Sequence, residues 1–499
     1  MWNRLNKSMM FCQMMFGLSF YGVMIILTRF FLEKLNYSEA DTMMVVGAFS
    51  AIGPLFAVAG GFIADKFLGS KRSLTLSYIS FAAGYGLLVI GASALSVPLS
   101  LSGIALASYA RGLMSPSYPS LYKRTFKSEE DFANCYPLNY SVNNIGALLG
   151  QYLYPIFILV VGFSGGFILS AIMAILAAAV LVIFHKPLVE IGTDIDQAPV
   201  STKNKAIFLA LSAAMIGMVF FMFSNMEAGK YVVYAISAAA VLYFISLMFK
   251  ASKADALRMG TILIMGLLTT AFFVYYGQMM TSMTMVTINT MRGDLLGFIP
   301  LAPEASMAMN PLWCIVAGPV IAAIFNALEK RGVNLSTATK IAGSFVLTVA
   351  AFGVLTMAVK GVNADMIISP DVFLVIHGFL AFGEVIVGSL VVAFILSVTP
   401  KHIEGFSVSL FSVAMALSGI VGAVISSVIA IEKGQEVTQQ FVQTVYGDYF
   451  FMLTVAAAAM VVVALGSSVI IRKMLNKADE LNEADELDKA EGLVLAEAG

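Results

Sequence analysis

Long apolar runs dominate this sequence and decide what it can fold into. A membrane-spanning helix needs about 20 consecutive apolar residues, whereas a transmembrane β-strand needs only about 9 to 11 and alternates polar with apolar side chains. The runs here have helical length and show no such alternation. Only 12% of the residues are charged, against ~25% in soluble domains. The chain is therefore predicted to be an all-α polytopic membrane protein.

The apolar runs predict fourteen transmembrane helices. They lie at residues 9–32, 41–63, 73–93, 98–118, 138–161, 164–185, 205–225, 230–249, 257–284, 310–328, 339–359, 371–397, 404–431 and 447–471. Lys and Arg test this count independently, because cytoplasmic loops carry the excess of both. With both termini placed in the cytoplasm, twenty-two Lys and Arg residues fall in cytoplasmic segments and five in outer segments. The charges therefore support the count and predict cytoplasmic N- and C-termini.

The spans group as six, two and six. We predict an N-terminal six-helix bundle at 1–190, a linker with two extra transmembrane helices at 191–255, a C-terminal six-helix bundle at 256–473 and an acidic cytoplasmic tail at 474–499. The stretch 285–309 is expected to form an outer loop or cap. A short charged loop follows the second span of each half, and such internal symmetry is typical of transporters whose site lies between two repeats.

Four ionisable residues remain inside the predicted spans. Glu384 is the only carboxylate placed well inside the membrane, where a charge costs about 2.5 to 3.5 kcal/mol and usually faces a water-filled pathway. The alternative is a protonated Glu384 that hydrogen-bonds a neighbouring helix. His377 lies two turns away on the same face and is a second candidate proton site, or a packing residue. The other two are Arg29 and Arg111.

The sequence GGFIADKFLGSKR at 60–72 is the most specific local pattern. Gly60 and Gly61 allow two helices to approach closely, Asp65 can interact with a helix end, and Lys71 and Arg72 hold the loop at the cytoplasmic face. The pattern resembles the gating loop between the second and third helices of the major facilitator superfamily. The resemblance implies that fold, with 12 transmembrane helices plus a 2-helix insertion.

Further motifs are similar to those of the proton-dependent oligopeptide transporter (POT) family. The patterns NNIGALLG, FFVYYGQ, MNPLWCIVAGP and FGEVIVG place Asn144, Gln278, Asn310 and Glu384 on family positions. The resemblance implies that Glu384 receives the amino terminus of a peptide. Together with Tyr21, the three amides are expected to line the substrate site, although each could instead join neighbouring helices.

The chain departs from the family in its charged residues. The family's ExxERFxYYG reads QMMFGLSFYG here, with Gln13, Phe16 and Gly17 in place of two glutamates and an arginine. The family's Lys-Pro becomes Ser115-Pro116, and Gly277 replaces a glutamate. These changes remove the usual proton-coupling groups and the usual clamp for a peptide carboxylate.

Two arginines are candidates to replace that clamp. Arg111 lies one helical turn before Ser115 on the same face, and Arg29 lies near the end of the first span. Arginine binds carboxylate or phosphate with two parallel hydrogen bonds, so we expect both residues to bind an anionic group of the substrate. Arg29 could instead extend to the outer interface, and Arg111 could form a structural pair.

These observations predict a secondary active transporter that imports di- or tripeptides, or peptide-like small molecules, by alternating access. Proton coupling is expected to use a non-standard site formed by Glu384 and His377. The alternative is an uncoupled facilitator, or a transporter of another small amino-acid-like or anionic solute. The expected partners are the substrate, protons and the lipid bilayer, with the chain acting as a monomer in the bacterial inner membrane.

Other classes of protein fit the sequence poorly. A proton-translocating respiratory subunit needs ionisable residues in several spans. The sequence has no HExxH or GxxxxGK[ST] pattern, which argues against a zinc hydrolase and against ATP hydrolysis. No cofactor or metal is expected, and the net charge of −1 argues against a nucleic-acid partner.

Overall fold

The computed structural model of the protein describes residues 3–400, 403–432 and 434–497, and for 133–134, 404–405 and 485–497 it describes the backbone alone. Within these residues the chain is almost entirely helical, and its only β-type pairings are two isolated bridges. Lys401 and Lys433, which entered the charge count, lie outside the described residues, as do the last two residues of the predicted tail.

The long helices are numbered α1 to α14 in chain order. They are α1 Arg4–Lys34, α2 Glu39–Leu68, α3 Ser70–Ala94, α4 Val97–Arg124, α5 129–161, α6 163–183, α7 Thr202–Ser224, α8 Met226–Met248, α9 Lys253–Thr290, α10 Pro303–Lys330, α11 Thr337–Lys360, α12 Pro370–Val398, α13 Phe406–Ile429 and α14 Gln439–Ala484. Two short helices, His185–Glu190 and Asp194–Gln197, connect α6 to α7.

The fourteen predicted spans correspond to these fourteen helices. Among the described residues, twelve helices are long and apolar enough to cross a membrane. One of them, Glu129–Ile183, is two spans, because Gly162 has a φ of +69° and breaks it into α5 and α6. The remaining span is α4, which is less apolar because it carries Arg111 and several Ser and Pro residues. The predicted all-α polytopic fold is confirmed.

The predicted outer loop at 285–309 is wrong in extent. Helix α9 continues to Thr290 and α10 begins at Pro303, so only 291–302 lie outside the helices. The end of α9 was missed because it carries Thr287 and Thr290, and the start of α10 because it carries Glu304 and Ser306. These polar side chains are nonetheless buried, since they pack against protein instead of lipid. At the other end of the chain, the helix that begins as α14 continues to residue 497.

The described helices form two large apolar clusters and a small one on α10 and α12, and the two large clusters meet along two main helix pairs. The first cluster is built mainly from residues 9–233 and the second from residues 244–471. They meet where α2 packs on α13 and where Glu129–Ile183 packs on α10. At the α2–α13 contact, a Cβ on Gly419 would lie 2.4 Å from the Ala51 Cβ, so the backbones approach closely. The inserted pair touches both clusters, through α7 on α4 and α8 on α13. The domain boundaries themselves stay a prediction.

Candidate substrate-binding cavity

A cavity of about 1080 Å³ lies between the two halves of the chain. Its walls come from α1, α2, α4 and α5 on one side and from α9, α10, α12 and α13 on the other. On α5, α10, α12 and α13 the lining residues run from the middle of the helix toward its predicted cytoplasmic end, whereas on α1, α2, α4 and α9 they lie near the middle. This volume is at the upper end of the ~300 to 1,000 Å³ that is typical of small-molecule sites.

Glu384 lines this cavity from α12 and is held by neutral hydrogen-bond donors. Its Oε2 accepts from Asn310 Nδ2 at 3.2 Å and from Cys314 Sγ at 3.3 Å, both on α10. Tyr276 lies beside the same carboxylate. In the described part of the chain, no cation lies within ion-pair distance of Glu384. The carboxylate is therefore oriented by the protein but has no opposite charge beside it.

Arg111 lines the same cavity from α4, in the other half of the chain. Its Nη1 donates to the Ser50 carbonyl oxygen at 2.7 Å, and its Cζ lies 4.7 Å from the centre of the Phe20 ring. Gly53 provides the space for this side chain, because a Cβ there would lie 2.6 Å from the Arg111 Cδ. No carboxylate among the described residues pairs with Arg111. The guanidinium is thus held in place without a negative partner.

Phenol side chains lie between these two charges. Tyr21 interacts electrostatically with Arg111 and also with Glu384, and Tyr276 likewise interacts with both. Tyr140 adds a third phenol to the same lining. The cavity therefore has a positive wall, a negative wall and a band of amphipathic aromatic side chains, which offer apolar surface and hydrogen bonds together.

The structure does not bring three of the predicted site residues into the cavity lining. Asn144 donates to the Tyr140 carbonyl of its own helix at 3.0 Å. Gln278 is buried, and its Oε1 accepts from the hydroxyl of Ser282 on its own helix and from two hydroxyls that join α9 to α13 and α14. His377 is buried with Nδ1 3.2 Å from the Met279 sulfur. Asn310 does reach the site, as a donor to Glu384.

Arg29 lies outside the cavity lining, toward the predicted outer end. Its Nε donates to Glu33 Oε1 at 2.7 Å and its Nη1 donates to Glu304 Oε1 at 3.0 Å. The Glu304 side chain is only 1% exposed. Glu304 begins α10 and so lies at a helix end, which leaves Glu384 as the only carboxylate well inside a predicted span. The burial of Glu304 was nonetheless missed, since the neighbouring Pro300 and Pro303 are typical of a loop.

The predicted gating loop packs on neighbouring parts of the N-terminal half. A Cβ on Gly60 would lie 2.2 Å from the Gly112 carbonyl oxygen, so α2 and α4 touch there, while Gly61 has ordinary contact distances. Arg72 donates to the carbonyl oxygens of Ile195 and Ala198 at 2.9 and 2.8 Å. Asp65 is exposed and lies in α2, because only Gly69 separates α2 from α3 and the predicted loop is otherwise helical. The loop is thereby joined to the segment 185–198.

Lys71 joins the loop to the same segment through His185. The Lys71 Nζ lies 2.6 Å from the His185 Nδ1. The neighbouring Lys71 charge, with burial and Arg72 as smaller causes, lowers the pKa of His185 below its ordinary value. A neutral His185 can accept a hydrogen bond from the Lys71 ammonium, so the low pKa fits this contact.

Asp196 is the centre of this junction and was missed in the sequence. Its Oδ1 accepts from the Lys71 backbone nitrogen at 2.9 Å, and its Oδ2 lies 3.4 Å from Arg124 Nη1. Thr193 donates to it from both its backbone nitrogen and its hydroxyl at 3.1 Å. Gly69, with a φ of +83°, lies directly against the carboxylate, where a Cβ would come within 2.1 Å of Oδ1. Only the pattern Thr193-x-x-Asp196, a short helix cap, signals such a role.

Comparisons with known proteins agree with this architecture. The PTR2 model of the POT family matches residues 45–442. Dipeptide and tripeptide permease A of Pectobacterium carotovorum subsp. carotovorum is 28% identical over 444 residues, which cover 89% of this chain and 86% of the relative. Dipeptide and tripeptide permease B of Edwardsiella piscicida is 28% identical over 419 residues, 83% of this chain and 84% of the relative.

Solved structures show the same fold. A bacterial homologue of the human drug peptide transporters PepT1 and PepT2 superposes with a TM-score of 0.81 at 22% identity, over 94% of this chain and 98% of the other. A structure described as tetrameric PepTSo2 superposes with a TM-score of 0.82 at 23% identity over the same shares. These likenesses confirm the expected major facilitator fold. The expectation of a monomer stays a prediction.

Proposed function

We propose, on the premise that this chain belongs to the POT family, that it carries di- and tripeptides across the membrane by alternating access. The chain is a multi-pass protein of the bacterial inner membrane and a transporter, not an enzyme. The relatives named as dipeptide and tripeptide permeases support the substrate class.

One observation carries the proposal for the site. Glu384 and Arg111 face one cavity from opposite halves, and within the described residues neither has a partner of opposite charge. An uncompensated charge inside a protein costs several kcal/mol. A zwitterionic peptide supplies both missing partners, with its ammonium at Glu384 and its carboxylate at the Arg111 guanidinium. In this proposal Asn310 orients the Glu384 carboxylate and Tyr21 orients the Arg111 guanidinium.

The structure corresponds to an inward-facing state in this proposal. The cavity extends toward the predicted cytoplasmic ends, whereas the Arg29–Glu304 ion pair joins α1 to α10 at the predicted outer end. Opening toward the outside requires this pair to break and α2 to separate from α13. Arg29 is thus proposed to act on the outer closure, while Asn144, Gln278 and His377 support the helices that frame the cavity.

Glu384 is the group through which transport can couple to protons. An uncoupled facilitator is the second candidate, favoured by one observation: in the described lining of the cavity Glu384 is the only carboxylate, and no histidine accompanies it. A small anion without an ammonium group would use Arg111 alone and leave Glu384 unpaired. The ligand's own charges therefore distinguish a peptide from the other solutes considered.

Uptake of labelled dialanine into proteoliposomes tests the proposal, with unlabelled competitors added in three forms. We expect the free dipeptide to compete, and the N-acetylated and C-amidated forms to compete at least tenfold less well, because each lacks one charge. Liposomes without protein provide the background. Equal competition by all three forms, or no uptake above background, would refute the assignment of a zwitterionic peptide.

A further inference from the structure

We infer that a proton and the ammonium group of the peptide exclude one another at Glu384, so that peptide binding releases a proton from the cavity. This inference rests on the proposed function and concerns how the same site is regulated. It follows from which groups surround Glu384 and from the sum of charges in the cavity.

Every titratable or charged group that faces this site is known from the helices around it. Helices α1, α5, α9 and α10 contribute neutral groups, α4 contributes a cation, and α11 places a lysine 4.5 Å over the Phe325 ring at the cavity wall. In that order they are Tyr21, the pair Tyr136 and Tyr140, Tyr276, Cys314, Arg111 and Lys340. The part of α13 that lines the cavity has no titratable side chain, and His377, on α12 itself, contacts Met279 instead.

Glu384 is the member of this set whose ordinary pKa lies below neutral pH. Tyr, Cys, Lys and Arg ordinarily titrate at about 10, 8.5, 10.4 and above 12, whereas Glu titrates at about 4.3. Any proton that the described lining exchanges below about pH 8 is therefore bound at Glu384, which is also the only anion of that lining for a peptide ammonium.

The net charge of the peptide-bound cavity depends on whether Glu384 is ionised or carries a proton. With Glu384 ionised, a bound zwitterion neutralises both Glu384 and Arg111. With Glu384 protonated, the same ligand leaves the cavity with one more uncompensated positive charge inside the membrane, which is costly. Asn310 and Cys314 both donate to Oε2, an arrangement that suits the ionised carboxylate, which only accepts. The protonated site is therefore the weaker ligand for a peptide.

Calorimetric titration of the full-length protein in lipid nanodiscs with dialanine tests in which direction the affinity changes with pH. Titrations between about pH 5 and about pH 8.5, in buffers of different ionisation enthalpy, give both Kd and the number of protons exchanged. We expect Kd to weaken by up to about tenfold for each pH unit below the Glu384 titration, with up to one proton released per peptide. Proton uptake with tighter binding at low pH, or binding independent of pH, overturns the inference.

Two variants link the proton to this residue. Glu384→Gln keeps the shape of the side chain and is expected to bind dialanine more weakly with no proton release. Glu384→Asp keeps a carboxylate and is expected to retain proton release. Glu129→Gln alters an exposed carboxylate outside the cavity and is expected to behave as the parent protein. Release that persists in Glu384→Gln overturns the inference.

The outcome also separates this inference from the proposed function. If the parent protein binds no dialanine at any pH, the proposed function is wrong and the inference is overturned with it. If dialanine binds with the opposite dependence on pH, the peptide site stands and only the mutual exclusion is wrong.

Discussion

Arg111 on α4 and Glu384 on α12 face the same cavity from opposite halves of the chain, and the described residues offer neither of them an oppositely charged partner. Each is held by neutral groups, Arg111 by the Ser50 carbonyl and Glu384 by Asn310 and Cys314. Two opposite charges kept apart in this way are complementary to a ligand that carries both. Substitutions at these two residues test the role of each charge, and substitutions at Glu304 and Asp196 test two ion pairs outside the cavity.

Arg111→Gln is expected to raise the KM for dialanine uptake about 10- to 100-fold, because the peptide carboxylate loses its cation. The variant should also have the same KM for dialanine and for its C-terminal amide, since the carboxylate charge that distinguishes the two peptides no longer has a partner. Uptake into proteoliposomes measures both effects. Ser115→Ala is the control, because Ser115 lies one turn further along α4 and its exposed hydroxyl bonds only the Arg111 carbonyl. An unchanged KM in Arg111→Gln would contradict the assigned role.

Glu384→Gln is expected to remove discrimination between dialanine and its N-acetylated form. The amide keeps hydrogen bonding but cannot neutralise an ammonium, so affinity for the free peptide should fall at least tenfold. Competition for labelled uptake measures the ratio of the two affinities. Ser389→Ala is the matched control on the same helix, since Ser389 lines the cavity and bonds its own helix at the Val385 carbonyl. A variant that still prefers the free amino terminus would refute this role.

Glu304→Gln is expected to shift the protein toward an outward-open state. It breaks a charge pair whose carboxylate is 1% exposed and leaves Arg29 with only the exposed Glu33. Each 1.4 kcal/mol lost from the closed state raises the open population about tenfold. The distance between spin labels at Lys34 and Phe298, both exposed at the predicted outer end, should lengthen.

Glu33→Gln is the control for the outer closure, because its carboxylate is 44% exposed and an exposed pair contributes at most about 1 kcal/mol. We expect its label distances to match those of the parent protein. If both variants give the parent distances, the Arg29–Glu304 pair does not hold the outer end closed.

Asp196→Asn is expected to lower the apparent melting temperature of the detergent-solubilised protein by about 5 °C. The Asp196 side chain is 0% exposed, and its loss of charge leaves Arg124 without its partner. Glu129→Gln, in an exposed pair with Lys123, should melt with the parent protein. Thermal unfolding followed by tryptophan fluorescence measures the shift, and equal melting of both variants would show that the junction at 185–198 adds no stability.

The spans were predictable because the bilayer imposes one length and one composition on every spanning helix. The errors occurred where that rule does not apply. The end of α9 is rich in Ser and Thr, the start of α10 carries Glu304 and Ser306, and both are buried against protein, so their polarity looked like a loop. Gly162 separates two spans within one apolar run, and the charge pattern still indicated the division because loops alternate in their content of Lys and Arg.

The roles of the charged residues were only partly predictable. Arg29 and Arg111 were equivalent in the sequence, as two arginines inside spans near lost family positions. In the structure Arg29 pairs with Glu304, 275 positions away, while Arg111 has only the Ser50 carbonyl and a phenylalanine ring. Asp196 likewise acquires its role from Lys71, 125 positions away.

The sequence by itself thus determined the number of spans, the two-half fold, the family and the choice of Glu384 as a candidate, since these depend on local composition and short motifs. Only the tertiary structure decided which arginine lines the cavity with Glu384, which carboxylate pairs with Arg29 and which amide contacts Glu384. The physical reason is that a side chain's partner depends on how its helix is rotated and packed against helices far away in the chain.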